Sequence, residues 1–309
     1  MTEYYKKYRP HSFDDVLGQA TAVKTLDDMV ERKDIPHAML FSGPSGCGKT
    51  TMIRILRREL GCGKIDYQEV NCGLVDKPLD AVRGVQARMG LAPVSGPCRV
   101  WCLDEVQSLG RARFAQEALL KILEDMPEHV YFFLATTDPS KLIPTVRNRC
   151  TDIKLSPISG KVIGELVAKV VKAEELDVSK EVVSRITEVA DGSARKALVL
   201  LHQISGLNAE EEMLKAVLSS DTKRQAIEVA RVLMNPKAKW KDVAAMVKDV
   251  DDDPETVRRL VLSYASSVLT NGGGLSDRAY MILTAFEGSF FDSGRAGLVR
   301  ACWEVNSQK

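Results

Sequence analysis

No stretch of the 309 residues is apolar for long enough to span a bilayer, and the opening Met1-Thr2-Glu3-Tyr4-Tyr5-Lys6-Lys7 lacks the apolar core of a secretory signal. Both absences lead to the expectation of a cytoplasmic protein with no membrane partner. Net charge is almost missing too: 43 basic against 42 acidic residues leave +1, so any contact with nucleic acid has to come from a local patch. The seven cysteines, at positions 47, 62, 72, 98, 102, 150 and 302, contain no C-x-x-C pair, and an odd number without an export signal suits reduced thiols. A zinc site drawn from Cys62, Cys72, Cys98 and Cys102 is disfavoured because Cys102 lies inside an apolar run, where its side chain joins the core. Internal repeats and low-complexity segments are absent, which excludes a solenoid or a linker-dominated chain.

What is present is concentrated at one place. Residues 43 to 51 read Gly-Pro-Ser-Gly-Cys-Gly-Lys-Thr-Thr, a complete G-x-x-x-x-G-K-[ST] pattern, preceded by the apolar run Ala38-Met39-Leu40-Phe41. Gly43, Gly46 and Gly48 allow the tight curl that aims successive N–H groups at phosphate oxygens, with Pro44, Ser45, Cys47 and Thr51 completing the loop. Lys49 is expected to reach the β- and γ-phosphates and Thr50 to hold Mg²⁺. The helix that should follow has Met52, Ile53, Ile55, Leu56 and Leu60 as its apolar positions. A nucleoside triphosphate is the implied ligand.

Around this loop, from about 37 to 155, short apolar strands alternate with amphipathic helices, the pattern of an α/β domain with a parallel sheet. Strands are expected at 38–42, 66–70, 99–103, 130–135 and 151–155. Ser156-Pro157 closes this region, since proline pushes its predecessor to extended geometry. The pattern then turns helical. Val162, Ile163, Leu166, Val167, Val170 and Val171 share one face, followed by Val182, Val183, Ile186 and Val189, then by Ala197, Leu198, Leu201 and Ile204. The expected organisation is an α/β domain over 1–155, a three-helix domain over 156–207 and an all-helical domain over 208–309. In the last, Asp251-Asp252-Asp253 before Pro254 reads as a helix cap with proline at the first helical position.

A phosphate loop needs a carboxylate to hold its metal and a group to activate water. The strand Val100-Trp101-Cys102-Leu103 runs into Asp104-Glu105, at the sheet edge that carries the loop. Asp104 is the expected metal-orienting group and Glu105 the expected general base. The next strand ends in Thr136-Thr137-Asp138, where a hydroxyl can bond the γ-phosphate or the lytic water, or simply cap the strand. Arg147-Asn148-Arg149-Cys150 is either a solvated basic turn or a source of positive charge supplied in trans. Arg195, in Gly192-Ser193-Ala194-Arg195 at a helix start, can act on the nucleotide in cis.

Taken in order, Lys7-Tyr8-Arg9-Pro10, Phe13-Asp14-Asp15-Val16-Leu17-Gly18-Gln19, the phosphate loop, Asp104-Glu105-Val106-Gln107, Ala135-Thr136-Thr137-Asp138-Pro139, Arg149-Cys150 and Gly192-Ser193-Ala194-Arg195-Lys196-Ala197-Leu198 resemble the sliding-clamp loader ATPases of the AAA+ superfamily. The likeness is to the bacterial gamma/tau subunit and to replication factor C small subunits, and it spans residues 1 to about 205. It implies an AAA+ domain and a helical lid; residues 209–309 carry no motif of the family, and their position alone suggests its helical collar. It also implies that Tyr8, Arg9 and Pro10, with Val16 and Gly18, pack on adenine; that Thr137 is the sensor-1 and Arg195 the sensor-2 residue; and that Arg149 is the arginine finger entering a neighbouring subunit's site. Gln116, in Ala115-Gln116-Glu117-Ala118-Leu119, matches a glutamine that relays DNA engagement toward the acidic motif.

Departures from the pattern are specific. Asn148 stands where the family has a serine, only Cys62 and Cys72 remain near the place of a four-cysteine zinc insertion, so no zinc is expected, and the segment between Asp104 and Ala118 is two residues longer than in either relative. Arg83 resembles a position that tracks template phosphates, and Arg88, Arg111 and Arg113 are further candidates for DNA contact. The function implied is that of an ATPase subunit using ATP and Mg²⁺ to place a ring clamp on primer-template DNA. Its partners would be the clamp, the DNA and companion subunits in a ring or spiral of about five. Two rivals share parts of the pattern: another AAA+ motor on DNA, such as a branch-migration helicase, and a structural loader subunit that does not hydrolyse ATP.

Overall fold

In the computed structural model, which describes residues 3–219, 222–248, 250, 253–272 and 274–308, the apolar runs form five strands: β1 (Ala38–Ser42), β2 (Tyr67–Asn71), β3 (Arg99–Asp104), β4 (Val130–Thr136) and β5 (Thr151–Lys154). They make one parallel sheet in the order β2-β3-β4-β1-β5. All five residues of β1 are buried, as expected of a strand covered on both faces, whereas the edge strand β2 is only partly covered. Helices α1 (Tyr4–Lys7), α2 (Ala20–Glu31), α3 (Lys49–Glu59), α4 (Pro78–Met89), α5 (Arg113–Glu124) and α6 (Pro144–Arg147) accompany the sheet. One core face joins α4 and α5 to Leu40, Trp101, Leu103, Phe132 and Leu134; the other joins α2 and α3 to Met39, Phe41, Cys102 and Phe133. Cys72 belongs to the first face and Cys62, Cys98 and Cys102 to the second, so the four cysteines weighed as a metal set are divided between two cores.

Three helices follow, α7 (Gly160–Ala173), α8 (Lys180–Ala190) and α9 (Ala194–Ile204), each started by a serine: Ser159, Ser179 and Ser193 accept from the N–H groups of Val162, Val182 and Lys196. These helices and the sheet form one compact unit, Met1–Gly206. Short α1 packs on α9, with the Tyr4 ring edge-on to His202 at 4.6 Å. Two bonds tie the N-terminal segment to the end of α7: Lys7 to Glu174 at 2.5 Å, and the Tyr8 hydroxyl to the same carboxylate.

The second unit, Leu207–Lys309, contains α10 (Glu210–Ser219), α11 (Thr222–Met234), α12 (Trp240–Lys248), α13 (Pro254–Asn271), α14 (Ser276–Ala285) and α15 (Gly294–Ser307). Asp253 caps α13, its carboxylate accepting from the N–H of Thr256 at 3.0 Å, with Pro254 in the first turn; Asp251 and Asp252 lie outside the described residues. Next to the cap, Glu255 is buried, and accepts from Arg258 at 2.7 and 2.8 Å, from Arg259 at 3.1 Å and from the N–H of Phe290 at 2.8 Å. The bond from Arg258 outweighs desolvation and holds the Glu255 carboxyl down at about 2. A depressed carboxylate stabilises the fold above its ordinary value of 4.5 and loses that contribution as pH falls toward 2. Glu255→Gln should therefore lower stability by about 3 kcal/mol at neutral pH, with the gap to the parent closing below about pH 4. Denaturant titrations of the full chain across that range check this.

Candidate nucleotide site

The phosphate loop leaves β1 and ends on α3, and two of its glycines are required by what lies against them. Gly43 has φ +150°, and a Cβ there would stand 2.4 Å from the carbonyl oxygen of Leu155; Gly46 has φ +75°, and a Cβ would stand 2.0 Å from the hydroxyl of Ser193. The loop is thus pressed between the end of the sheet and the start of α9.

Below the loop, Lys49 is buried, with its ammonium donating to the carbonyls of Gly43 at 2.7 Å and Pro44 at 2.8 Å. Burial pulls its pKa below the ordinary lysine value; Glu105 and Asp104 oppose that shift and Arg195 adds to it. The Thr50 hydroxyl donates to Asp104 Oδ2 at 3.0 Å. A hydroxyl and a carboxylate this close form an all-oxygen donor pair that fits a small hard cation such as Mg²⁺. Glu105 follows with φ 52° and ψ 39°, a left-handed conformation that costs about 1–3 kcal/mol for a non-glycine residue and is typical of functional positions. Its N–H donates to Asp104 Oδ1 at 2.9 Å, which fixes the Asp104 carboxylate against the turn.

Loop, carboxylates, N-terminal segment and lid helices enclose a cavity of about 320 Å³. Of the residues singled out in the sequence, Tyr8, Arg9, Pro10, Val16, Ser45, Gly46, Cys47, Gly48, Lys49, Thr50, Thr51, Asp104, Glu105 and Arg195 line it. Arg195 reaches it from the first turn of α9, with its guanidinium 5.8 Å from the Tyr5 ring centre. Gly43 and Pro44 stand behind the loop as acceptors for Lys49, and Gly18 backs Ile158, whose Cγ2 would be 2.8 Å from a Cβ at that glycine. Thr137 is exposed beyond the end of β4, where its hydroxyl accepts from Gln107 at 2.8 Å.

Arg149 is not brought to the cavity. It follows α6, half exposed, paired with Glu124 and donating to the Thr145 carbonyl at 3.1 Å. Gln116 is buried and bonds the Lys141 carbonyl at 3.0 Å and the Ile143 N–H at 2.7 Å, so it holds the segment leading to α6 and does not touch Glu105. The DNA candidates are scattered in role: Arg83 is exposed in the second turn of α4, Arg88 stacks over Trp101 at 5.5 Å, Arg113 pairs with Glu117 at 3.2 Å, and the Arg111 side chain lies outside the described residues.

Several residues of the site were not assigned to it from the sequence. Val162 and Leu166, read as part of a helix core face, line the cavity instead, together with Ile158, Leu198 and Lys169. Buried Gln19 donates to the Cys47 carbonyl at 3.3 Å and to the Ser156 carbonyl at 2.7 Å, and accepts from the Ser156 N–H at 3.2 Å, joining the loop to the entrance of the lid.

The fold and this cavity define a phosphate-loop nucleotide-binding protein, and residues 39–157 match the family described as "ATPase family associated with various cellular activities (AAA)". The chain is 30% identical over 258 residues to the DNA polymerase III subunit gamma of Buchnera aphidicola subsp. Schizaphis graminum, covering 76% of this chain and 70% of that protein. It is 34% identical over 219 residues to the DNA polymerase III subunit tau of Bacillus subtilis, covering 64% of this chain and 38% of that one. The chain belongs to the DNA polymerase III gamma/tau family of AAA ATPases. It spans 38% of the length of the Bacillus subtilis and Mycobacterium tuberculosis relatives. Among solved structures, the RuvB Holliday junction branch migration motor of Thermotoga maritima shares the fold, with a TM-score of 0.55 at 21% identity over 73% of this chain and 78% of that one. Among the described residues no helix is long and apolar enough to cross a membrane.

Proposed function

We propose that this chain is an ATP-hydrolysing subunit of a DNA polymerase sliding-clamp loader. The observation that carries the reading is that the nucleotide cavity is complete in its phosphate, carboxylate and lid groups while Arg149 stands outside it. Such a site is finished by a neighbour, which is what an oligomeric loader provides. In this reading residues 156–207 act as the lid and 208–309 as the collar.

The adenine end is formed by Tyr8, Pro10, Val16, Ile158 and Leu166, the triphosphate lies along Ser45 to Thr51, and Lys49 and Arg195 bring positive charge to it. Thr50 and Asp104 would hold Mg²⁺, which when bound would supply neutralisation of the phosphate charge. Glu105 accepts the proton of the attacking water, and Thr137 orients that water from the tip of β4. Arg83, Arg88, Arg111 and Arg113 give a non-specific, salt-sensitive hold on template phosphates. Phe114, 73% exposed at the start of α5, is the apolar side chain there that would face the clamp, whereas nearby Leu109 is buried.

The test is ATP hydrolysis by the purified chain alone and with its companion subunits, with and without clamp and primed DNA. Low turnover alone and a rise of about ten-fold or more with clamp and primed DNA are expected. Stimulation by a four-way junction in place of the clamp would favour a branch-migration motor, whose fold this chain shares; no turnover under any condition would favour a structural subunit.

A further inference from the structure

Gln107 lies two residues beyond Glu105, in the 3-10 turn Val106–Arg111, and its amide bonds three different side chains. Nε2 donates to Oε2 of Glu105 and, at 2.8 Å, to the hydroxyl of Thr137. Oε1 accepts from the hydroxyl of Thr136 at 2.8 Å. The orientation of the amide is fixed from both ends. Thr136 is fully buried, and its oxygen already accepts the N–H of Asp138 at 3.0 Å, so its own proton points at Gln107 and demands an oxygen there. Ionised Glu105 only accepts, so it demands the NH₂.

Resting on the reading of Glu105 as general base, we infer that Gln107 is the positioning residue for that base. Buried Thr136 fixes the amide, and the amide fixes the carboxylate, which otherwise hangs from a left-handed residue at the open end of a strand. Because the second N–H of the same group holds Thr137, the base and the strand-tip hydroxyl share one donor. A turn of the Thr137 hydroxyl toward a phosphate or a water is therefore felt at Glu105. Gln107 does not line the cavity, so it acts on the chemical step and not on nucleotide affinity. It neither gains nor loses a proton in the reaction; the proton of the water passes to Glu105.

A residue that merely braced the 3-10 turn would lower stability and leave kinetic constants alone. Two substitutions separate the roles. Gln107→Glu keeps an acceptor for Thr136 and nearly the same shape but sets a carboxylate oxygen against Glu105. Gln107→Met fills the space without either bond. Both are to be measured in the full chain assembled with its companion subunits, clamp and primed DNA. The expected result is a fall in kcat of about ten-fold or more, with the Kd for ATP within about two-fold and the melting temperature within a few degrees of the parent. In a Glu105→Gln background, Gln107→Met should change the residual rate by less than about two-fold, because the group it positions is gone. Unchanged kcat in both variants, a parallel loss of affinity and kcat, or an undiminished effect in the Glu105→Gln background would each overturn the inference. If Glu105→Gln alone leaves turnover intact, the assignment of the base has failed, and that outcome is distinct from the others.

Discussion

Arg149→Ala should leave ATP binding by the isolated chain within about two-fold of the parent while lowering DNA-stimulated turnover of the assembly by about 10³-fold or more. The separation follows from where the side chain is. Arg149 contributes nothing to the cavity wall, so its removal takes nothing from the nucleotide's own contacts. Its present partners are Glu124 and the Thr145 carbonyl, in a half-exposed setting where an ion pair is worth at most about 1 kcal/mol, so the fold should survive the change. The same weakness would make the guanidinium easy to recruit in the proposed assembly: a neighbour's γ-phosphate, carrying more charge than one carboxylate, would outcompete Glu124 for it. Titration with a fluorescent ATP analogue and steady-state hydrolysis on the same preparations check both halves. Equal loss of binding and turnover would place the arginine in its own chain's site and remove the main reason for invoking a neighbour.

Lys49→Ala should show the opposite pattern, with binding itself lost. The ammonium lies beneath the loop beside Asp104 and Glu105, and without it an incoming triphosphate meets two carboxylates at close range with Arg195 as the remaining cation on the cavity wall named by the sequence for that end. A charge-assisted bond to phosphate is worth about 1.5–3 kcal/mol, and removing the screening of two acids adds to it, so a rise in Kd of about 10²-fold or more is expected. Folding stability responds far less. Burial already disfavours the charged lysine, so its removal relieves that desolvation even as the carbonyls of Gly43 and Pro44 lose a donor. The two contributions oppose one another, and the unliganded melting temperature should move by a few degrees at most. Calorimetric titration and thermal melts with and without Mg·ATP measure the two effects; a variant that melts normally and is no longer stabilised by nucleotide is the expected outcome.

These two residues show how unevenly the site was legible. Lys49 is found by spacing alone, because the loop's geometry is local and Gly43, Gly48, Lys49 and Thr50 must follow in fixed register. Asp104 and Glu105 are found by the apolar strand that ends on them, and the parallel sheet by the alternation of strands and helices. Contacts between distant segments left no such trace. Gln19 and Ser156 are 137 positions apart, and Glu174 meets Tyr8 across 166, so nothing in either neighbourhood announces the pair. Val162 and Leu166 failed for a different reason: a helical period marks an apolar face without saying whether protein or ligand will cover it. Gln107 and Gln116 were both visible, but only coordinates reveal which of the two amides touches Glu105.

Gln19 also bears on how the parts of the first unit exchange free energy. One buried amide grips a carbonyl of the phosphate loop with one hand and both backbone groups of Ser156, where the chain leaves the sheet for the lid, with the other. Any turn of the lid at Ser156 would therefore be felt at the phosphate loop through this amide. A ligand that favours one loop arrangement biases the lid, and by reciprocity whatever seizes the lid from outside alters the loop's affinity by the same factor. An outside grip on the lid would thereby reach the phosphate loop through the three hydrogen bonds of Gln19.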